Sequence, residues 1–236
     1  MGRAHEVRAK SMAATAAKRS ALFMRASKEI YMAAKSGVPD PNSNLALRSA
    51  VEKWKSQQVT KDVIERAIQK AKGGSGEHYE AGRYEFFGPG GSFIIVDTLT
   101  DNVNRALTDV RTVFTKHGGH MGNVSYNFTE QGVLVFKGAK KDAVEEALIL
   151  GDVDVREVNE DGEFIEALVA PTALNKAKEV LKGINITNFD EAEIRMIANE
   201  MITITDPEAK TKFQQILDAL DEVSDVQEVY HNVELN

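Results

Sequence analysis

Apolar positions in the first seventy residues recur at helical spacing, and those in the remainder follow a mixture of helical and strand periods. Residues 13–35, rich in Ala, Met, Leu, Lys and Arg, predict a helix. At about 100° per residue, Phe23, Ala26, Ile30 and Ala33 share one side of it. Lys18, Arg25, Lys28 and Lys35 fall within an arc of roughly 100° on the other side. Arg19 lands among the apolar positions, where a long side chain can snorkel to water. The Gly- and Pro-containing stretch 37–44 ends this helix and offers Asn44 as a cap for the next. Leu45, Leu47, Ala50, Val51 and Trp54 then mark a second helix. Val63, Ile64, Ala67, Ile68 and Ala71 mark a third, beginning near Thr60. Three short helices around Trp54 make a small helical head, and Gly73-Gly-Ser-Gly76 reads as a linker behind it.

Beyond the linker the period changes. Strands are expected at 83–87 and 92–99, joined by the turn Gly88-Pro-Gly-Gly91. Thr100-Asp101 is expected to cap a helix to about residue 117, with Val103, Leu107, Val110 and Phe114 inward. Strand patterns at 124–128 and 133–137 precede a helix at 141–150 and a hairpin of 153–158 with 164–169. Pro171 opens a helix at 172–182. Strand patterns follow at 184–189 and 201–205, then a helix from Asp206-Pro207 and a strand at 226–233. Such alternation is that of an α+β protein whose helices cover one sheet face. A βαββαβ unit takes about seventy to ninety residues, and the stretch 83–236 accommodates two. The pattern leaves open whether they are consecutive or nested.

Charge sharpens this picture. Residues 1–74 hold fifteen Lys and Arg against six Asp and Glu, a net of +9, whereas residues 75–236 carry −16. A basic head on an acidic body attracts polyanions at one end and repels them at the other. There is no cysteine, which excludes disulfides, thiolate nucleophiles and Cys-ligated zinc and fits a reducing interior. No stretch has the length and apolarity of a membrane span. Lys18, Arg19, Arg25 and Lys28 interrupt the start of the chain, so a signal peptide is not expected and the expected location is cytoplasmic.

The basic tail and helix face are the leading site: Arg3, Arg8, Lys10, Lys18, Arg19, Arg25, Lys28 and Lys35 would neutralise phosphates and release counterions. On this reading, replacing Lys18, Arg25 and Lys28 with Glu weakens binding and leaves the fold intact. Asn102, Asn104, Arg105 and Arg111 form a second candidate contact, although Asp101-Asn-Val-Asn-Arg105 reads equally as an N-capped helix start. His117-Gly-Gly-His120 lacks a third ligand, and its glycines read as a helix C-cap, so no metal is expected. Gly88-Pro-Gly-Gly91 lacks the Gly-Lys-Ser/Thr of a phosphate loop. A hydrolase would need a nucleophile, base and orienting acid, and no such arrangement stands out. The expectation is a protein without catalytic residues, cofactor or small-molecule substrate.

Several segments resemble the YebC family, whose mitochondrial relative is the translational activator of cytochrome oxidase. They include Lys61-Asp-Val-Ile-Glu-Arg-Ala-Ile68 and Tyr84-Glu-Phe-Phe-Gly-Pro-Gly-Gly91. Leu99-Thr-Asp-Asn-Val-Asn-Arg105, Gly118-Gly119, Gly122, Pro171-Thr172 and Val229-Tyr-His-Asn232 extend the likeness nearly end to end. The opening Gly2-Arg-Ala-His-Glu-Val-Arg8 is closer to a second YebC subfamily, and the loop after Gly122 is about three residues shorter than is usual in the family. The resemblance implies three domains: a helical one at 1–76, an α+β one at 77–124 with 206–236, and a second α+β one at 125–205 inserted in it. Both α+β domains are expected to be ferredoxin-like. It also implies a transcriptional regulator binding DNA. The alternative is a ribosome- or rRNA-binding translation factor that assists slow or stalled elongation.

Overall fold

The computed structural model describes residues 16–74 and 76–235. Arg3, Arg8 and Lys10 lie outside the described residues. Among those described, the head is α1 (Ala16–Lys35), α2 (Leu45–Ser56) and α3 (Lys61–Lys72). Asn44 both caps and ties. Its Oδ1 accepts from the Leu47 N–H at 3.0 Å, while its Nδ2 donates to the carbonyls of Ala33 and Val38 at 2.8 and 3.1 Å. Ile30, Tyr31, Leu47, Val51, Trp54, Ile64 and Ala67 fill one buried cluster from all three helices. Trp54 is 1% exposed, and its indole N–H reaches Glu29 at 3.1 Å. The ring is thus buried without an unsatisfied donor.

The remaining elements are β1 (Glu80–Phe87), β2 (Phe93–Thr100), α4 (Val103–Lys116), β3 (His120–Met121), β4 (Phe128–Lys137), α5 (Lys141–Leu150), β5 (Val155–Asp161), β6 (Phe164–Val169), α6 (Leu174–Gly183), β7 (Glu191–Ala198), α7 (Pro207–Glu222) and β8 (Val226–His231). They make two four-stranded antiparallel sheets, ordered β3-β1-β2-β8 and β5-β6-β4-β7. The fold is therefore α+β. Because β3 and β8 belong to one sheet while β4 to β7 form the other, the second sheet is inserted in the chain of the first. The described chain divides into two compact units, one built on residues 128–199 and one on residues 16–127 and 200–233.

The second sheet has the βαββαβ order. Val144 and Leu148 of α5 and Ala177 and Leu181 of α6 bury one face with Leu134, Phe136, Ile165 and Ala167. The first sheet opens on a hairpin instead and places its crossover helix α4 between β2 and β3. Phe86 stacks on Phe114 of α4 with ring centroids 3.7 Å apart, and Phe213 of α7 meets His231 edge-on at 5.2 Å. The hairpin turn needs glycine at Gly90, where φ is 67° and a Cβ would come within 2.7 Å of Ile204.

Six expectations change. Helix α4 is capped by Asn102 instead of Thr100-Asp101, and Val103, in its first turn, is 42% exposed instead of inward. The stretch 124–128 is not a strand. The N–H groups of Val124 and Ser125 donate to one oxygen of Glu85 at 2.6 and 2.7 Å, which draws the chain into a 3-10 turn, Ser125–Asn127, and β4 starts only at Phe128. Burial alone would raise the Glu85 pKa, but these two N–H groups outweigh it and hold it below the ordinary glutamate value. No strand forms at 184–189, because Asn185 turns left-handed after α6 at φ 66° and Ile186 drops into the helix-side core. The strand lies later, as β7, where Glu191, Glu193 and Arg195 alternate along one face and pair at 3.3 and 2.8 Å. The stretch 201–205 contributes one bridge, Ile202 to Val233. The two-residue β3 was not foreseen.

Candidate nucleic-acid interface

The cationic stripe of α1 meets the C-terminal end of α7. That helix carries Asp218, Asp221 and Glu222 near its end and no basic residue in its last turn, so its carboxylates reinforce the negative pole of the helix instead of offsetting it. Arg25 supplies the missing cation. Its guanidinium donates to the carbonyls of Leu220, Asp221 and Val223 at 3.0, 2.9 and 3.4 Å. Burial pushes the Arg25 pKa down, opposed by Asp221 and Glu228. Lys18 donates to Asp218 at 2.6 Å and lies 3.5 Å from Asp221, and chiefly the hydrogen bond to Asp218 raises its pKa.

One turn further along α1, Lys28 donates to the carbonyls of Leu99 and Ser224 and to Oδ1 of Asp225. The Asp225 side chain is 3% exposed, and its Oδ2 accepts from Nε and a terminal nitrogen of Arg105 at 3.1 and 2.8 Å. Burial would raise this carboxyl's pKa, yet the bonds from Lys28 and Arg105 prevail and set it below the usual aspartate value. Arg105 also reaches Asp101 at 2.6 Å and the Thr100 hydroxyl at 3.3 Å, and the bond to Asp225 is the first cause of its raised pKa.

The two predicted clusters are thus brought together through one aspartate. Arg25, Lys28 and Arg105 sit in a polar junction that fixes the head to the first sheet. Replacing Lys18, Arg25 and Lys28 with Glu would set carboxylates against the Asp225 carboxylate and backbone carbonyls, so the expectation of an intact fold does not survive this geometry. Asn102 is the N-cap of α4, its Oδ1 accepting from the Arg105 N–H at 3.0 Å. Asn104 is exposed, as is Arg111, which lines a groove of about 320 Å³ with Leu107, Thr108, Thr112, Thr115 and Lys116. Arg19 and Lys35 are exposed, lying 5.8 Å from the rings of Phe23 and Tyr31. Lys55 and Lys72 are also exposed on the head and, like Arg19 and Lys35, carry no ion pair among the described residues. Pairing of Arg105 with carboxylates of the body was open from the sequence, but Asp218, Asp221 and Asp225 were not singled out. The signal was present in the acidic last turn of α7, which demands a cation from elsewhere.

Among the described residues no group of three or more His, Asp and Glu is placed to hold a metal ion. His120 lies against the Phe87 ring at 5.3 Å. No helix of the described residues is long and apolar enough to cross a membrane.

Comparison with known proteins bears on the whole chain. Residues 3–74 match the family model described as the TACO1/YebC protein N-terminal domain, and residues 79–233 match the TACO1/YebC second and third domain. The chain belongs to the TACO1/YebC family. It is 49% identical over 234 residues to the probable transcriptional regulatory protein Mfl546 of Mesoplasma florum, covering 98% of this chain and 99% of that one. It is 46% identical to the probable transcriptional regulatory protein YeeN of Escherichia coli, over 91% of each chain. The crystal structure of the conserved hypothetical protein Aq1575 from Aquifex aeolicus superposes with a TM-score of 0.78 at 34% identity, covering 93% of this chain and 91% of that one. The family boundary at 74–79 coincides with the glycine segment behind the head. The docked cations Lys18, Arg25 and Lys28 lie in the N-terminal family domain, and the carboxylates that hold them lie in the second match.

Proposed function

We propose that this TACO1/YebC protein is a non-enzymatic, nucleic-acid-binding regulator of gene expression that contacts DNA through its basic head. The observation that carries this reading is the division of charge, +9 on residues 1–74 against −16 on the rest. A phosphate backbone approaching the head meets exposed Arg19, Lys35, Lys55 and Lys72, while the acidic remainder repels it. Arg3, Arg8 and Lys10 add to the positive charge of this part of the sequence, and Asn104 and Arg111 of α4 offer a secondary contact. The names of the relatives support a regulatory role. No metal, cofactor or nucleophile is called on.

A second reading, binding to ribosomal RNA, draws on the surface of α3. In a helix that reads the major groove, the first turns face base edges. Here those turns carry Asp62 and Glu65, paired with Arg66 at 2.5 Å and Lys61 at 3.4 Å. Carboxylates there suit backbone contact better than base reading, and backbone contact serves RNA as well as DNA. Fluorescence anisotropy of the full chain with duplex DNA and with structured RNA of equal length separates the readings. Preference for a genomic duplex over random duplex supports the DNA regulator. Co-sedimentation with ribosomes at moderate salt, without such preference, supports the RNA reading. For either partner the slope of log K against log salt is expected near −4 or steeper, about one unit per engaged cation. A flat salt response sinks both.

A further inference from the structure

The junction between the head and the first sheet has the chemistry of a phosphate-binding site already filled. Lys18, Arg25 and Lys28 lie within ten residues on one side of α1, the arrangement of cations expected against a polyanion. Each is engaged from within the chain, although the buried Nε of Arg25 has no hydrogen-bond partner. Lys18 takes two carboxylates, Arg25 three carbonyls at the negative pole of α7, and Lys28 two carbonyls and Asp225. Asp218 and Asp221 remain more than half exposed, 53% and 54%, so salt and water compete for them. The head's own core is drawn from residues 26–71, with Tyr79 packed against it, and no residue of α7 belongs to it. The glycines after α3, Gly74 among them at φ 68°, supply a joint that can re-aim the chain.

We infer that the acidic end of α7 is an intramolecular stand-in for a phosphate backbone, holding Lys18, Arg25 and Lys28 in a closed arrangement from which a bound nucleic acid displaces it. This rests on the nucleic-acid reading above and adds to it an autoinhibitory contact. The closed protein meets its partner with the exposed cations, and the opened protein adds three more. Binding then proceeds with undocking of the head, and weakening the dock strengthens binding.

The test compares the full chain with Asp218→Asn/Asp221→Asn, which keeps the size of both side chains and spares the buried Asp225. A control, Asp142→Asn/Glu146→Gln on the exposed face of α5, removes the same charge elsewhere. The probes are a single-stranded RNA and a duplex DNA at low salt, with amide exchange followed at residues 218–226 before and after saturation. The expected result is binding about fivefold tighter for the α7 variant than for the control, with faster exchange at 218–226 in the complex. Equal affinities for the variant and control, or unchanged exchange on saturation, overturn the autoinhibitory contact while leaving nucleic-acid binding standing. If none of the three proteins binds either probe, the nucleic-acid reading falls and the inference with it.

Discussion

Asp225 is the residue on which the junction turns. A carboxylate with 3% exposure stays ionised only because Lys28 and Arg105 occupy both of its oxygens. Asp225→Asn keeps the shape and removes the charge, leaving two cations facing a neutral amide. Urea unfolding of this variant is expected to show a loss of about 3 kcal/mol. A loss within about 0.5 kcal/mol would mean that the cations find water instead. The same group gives the junction a pH dependence. A carboxyl whose native pKa lies below its ordinary value of 3.8 stabilises the fold fully above that pH. The contribution is lost as the pH falls below 3.8 through the native value. Glu85, also lowered from its ordinary 4.5, acts in the same direction on the turn 125–127. Thermal unfolding should therefore be flat from neutral pH down to about 5 and fall steeply below about 4. Asp225→Asn should flatten the acid limb.

At the scale of elements, the helices were the more legible. The pattern at 141–150 matches α5 residue for residue, and the head helices follow from apolar spacing, because a helix buried on one side must repeat its apolar residues every three or four positions. Trp54→Ala empties the centre of that head and is expected to cost about 3–5 kcal/mol, read as a lower midpoint in urea. Strands were harder wherever tertiary contacts set them. Strand β7 buries Arg195 against the half-buried Glu191 and Glu193, so its charges mimic a solvated segment. The stretch 124–128 has β-favouring residues but is captured by Glu85, a contact across 39 positions of chain. The basic stripe of α1 was legible as a stripe. What it faces was not, since the end of α7 lies some two hundred positions away and only the fold brings it there. Gly90→Ala tests how far the β1–β2 turn depends on its backbone. With φ at 67° and Ile204 2.7 Å from the added carbon, it should destabilise the chain by about 1–2 kcal/mol.

For the whole molecule, the division of charge organises both stability and the proposed function. The same positive head that is to attract a polyanion is held by an acidic helix end, so ionic strength acts on two equilibria. Salt weakens the phosphate contact and loosens the exposed part of the dock together. Family membership accounts for the arrangement of head, first sheet and inserted sheet, and the names of relatives point to regulation of gene expression. Binding through the head is tested by the affinity of the full chain for nucleic acid when the exposed head cations are reversed. Arg19→Glu, Lys35→Glu, Lys55→Glu and Lys72→Glu together leave the α7 junction untouched. Anisotropy titration of this variant with the better-bound of DNA and RNA should show at least about a hundredfold loss, with circular dichroism unchanged. Affinity equal to that of the unmodified chain would mean that the exposed face of the head does not carry the contact.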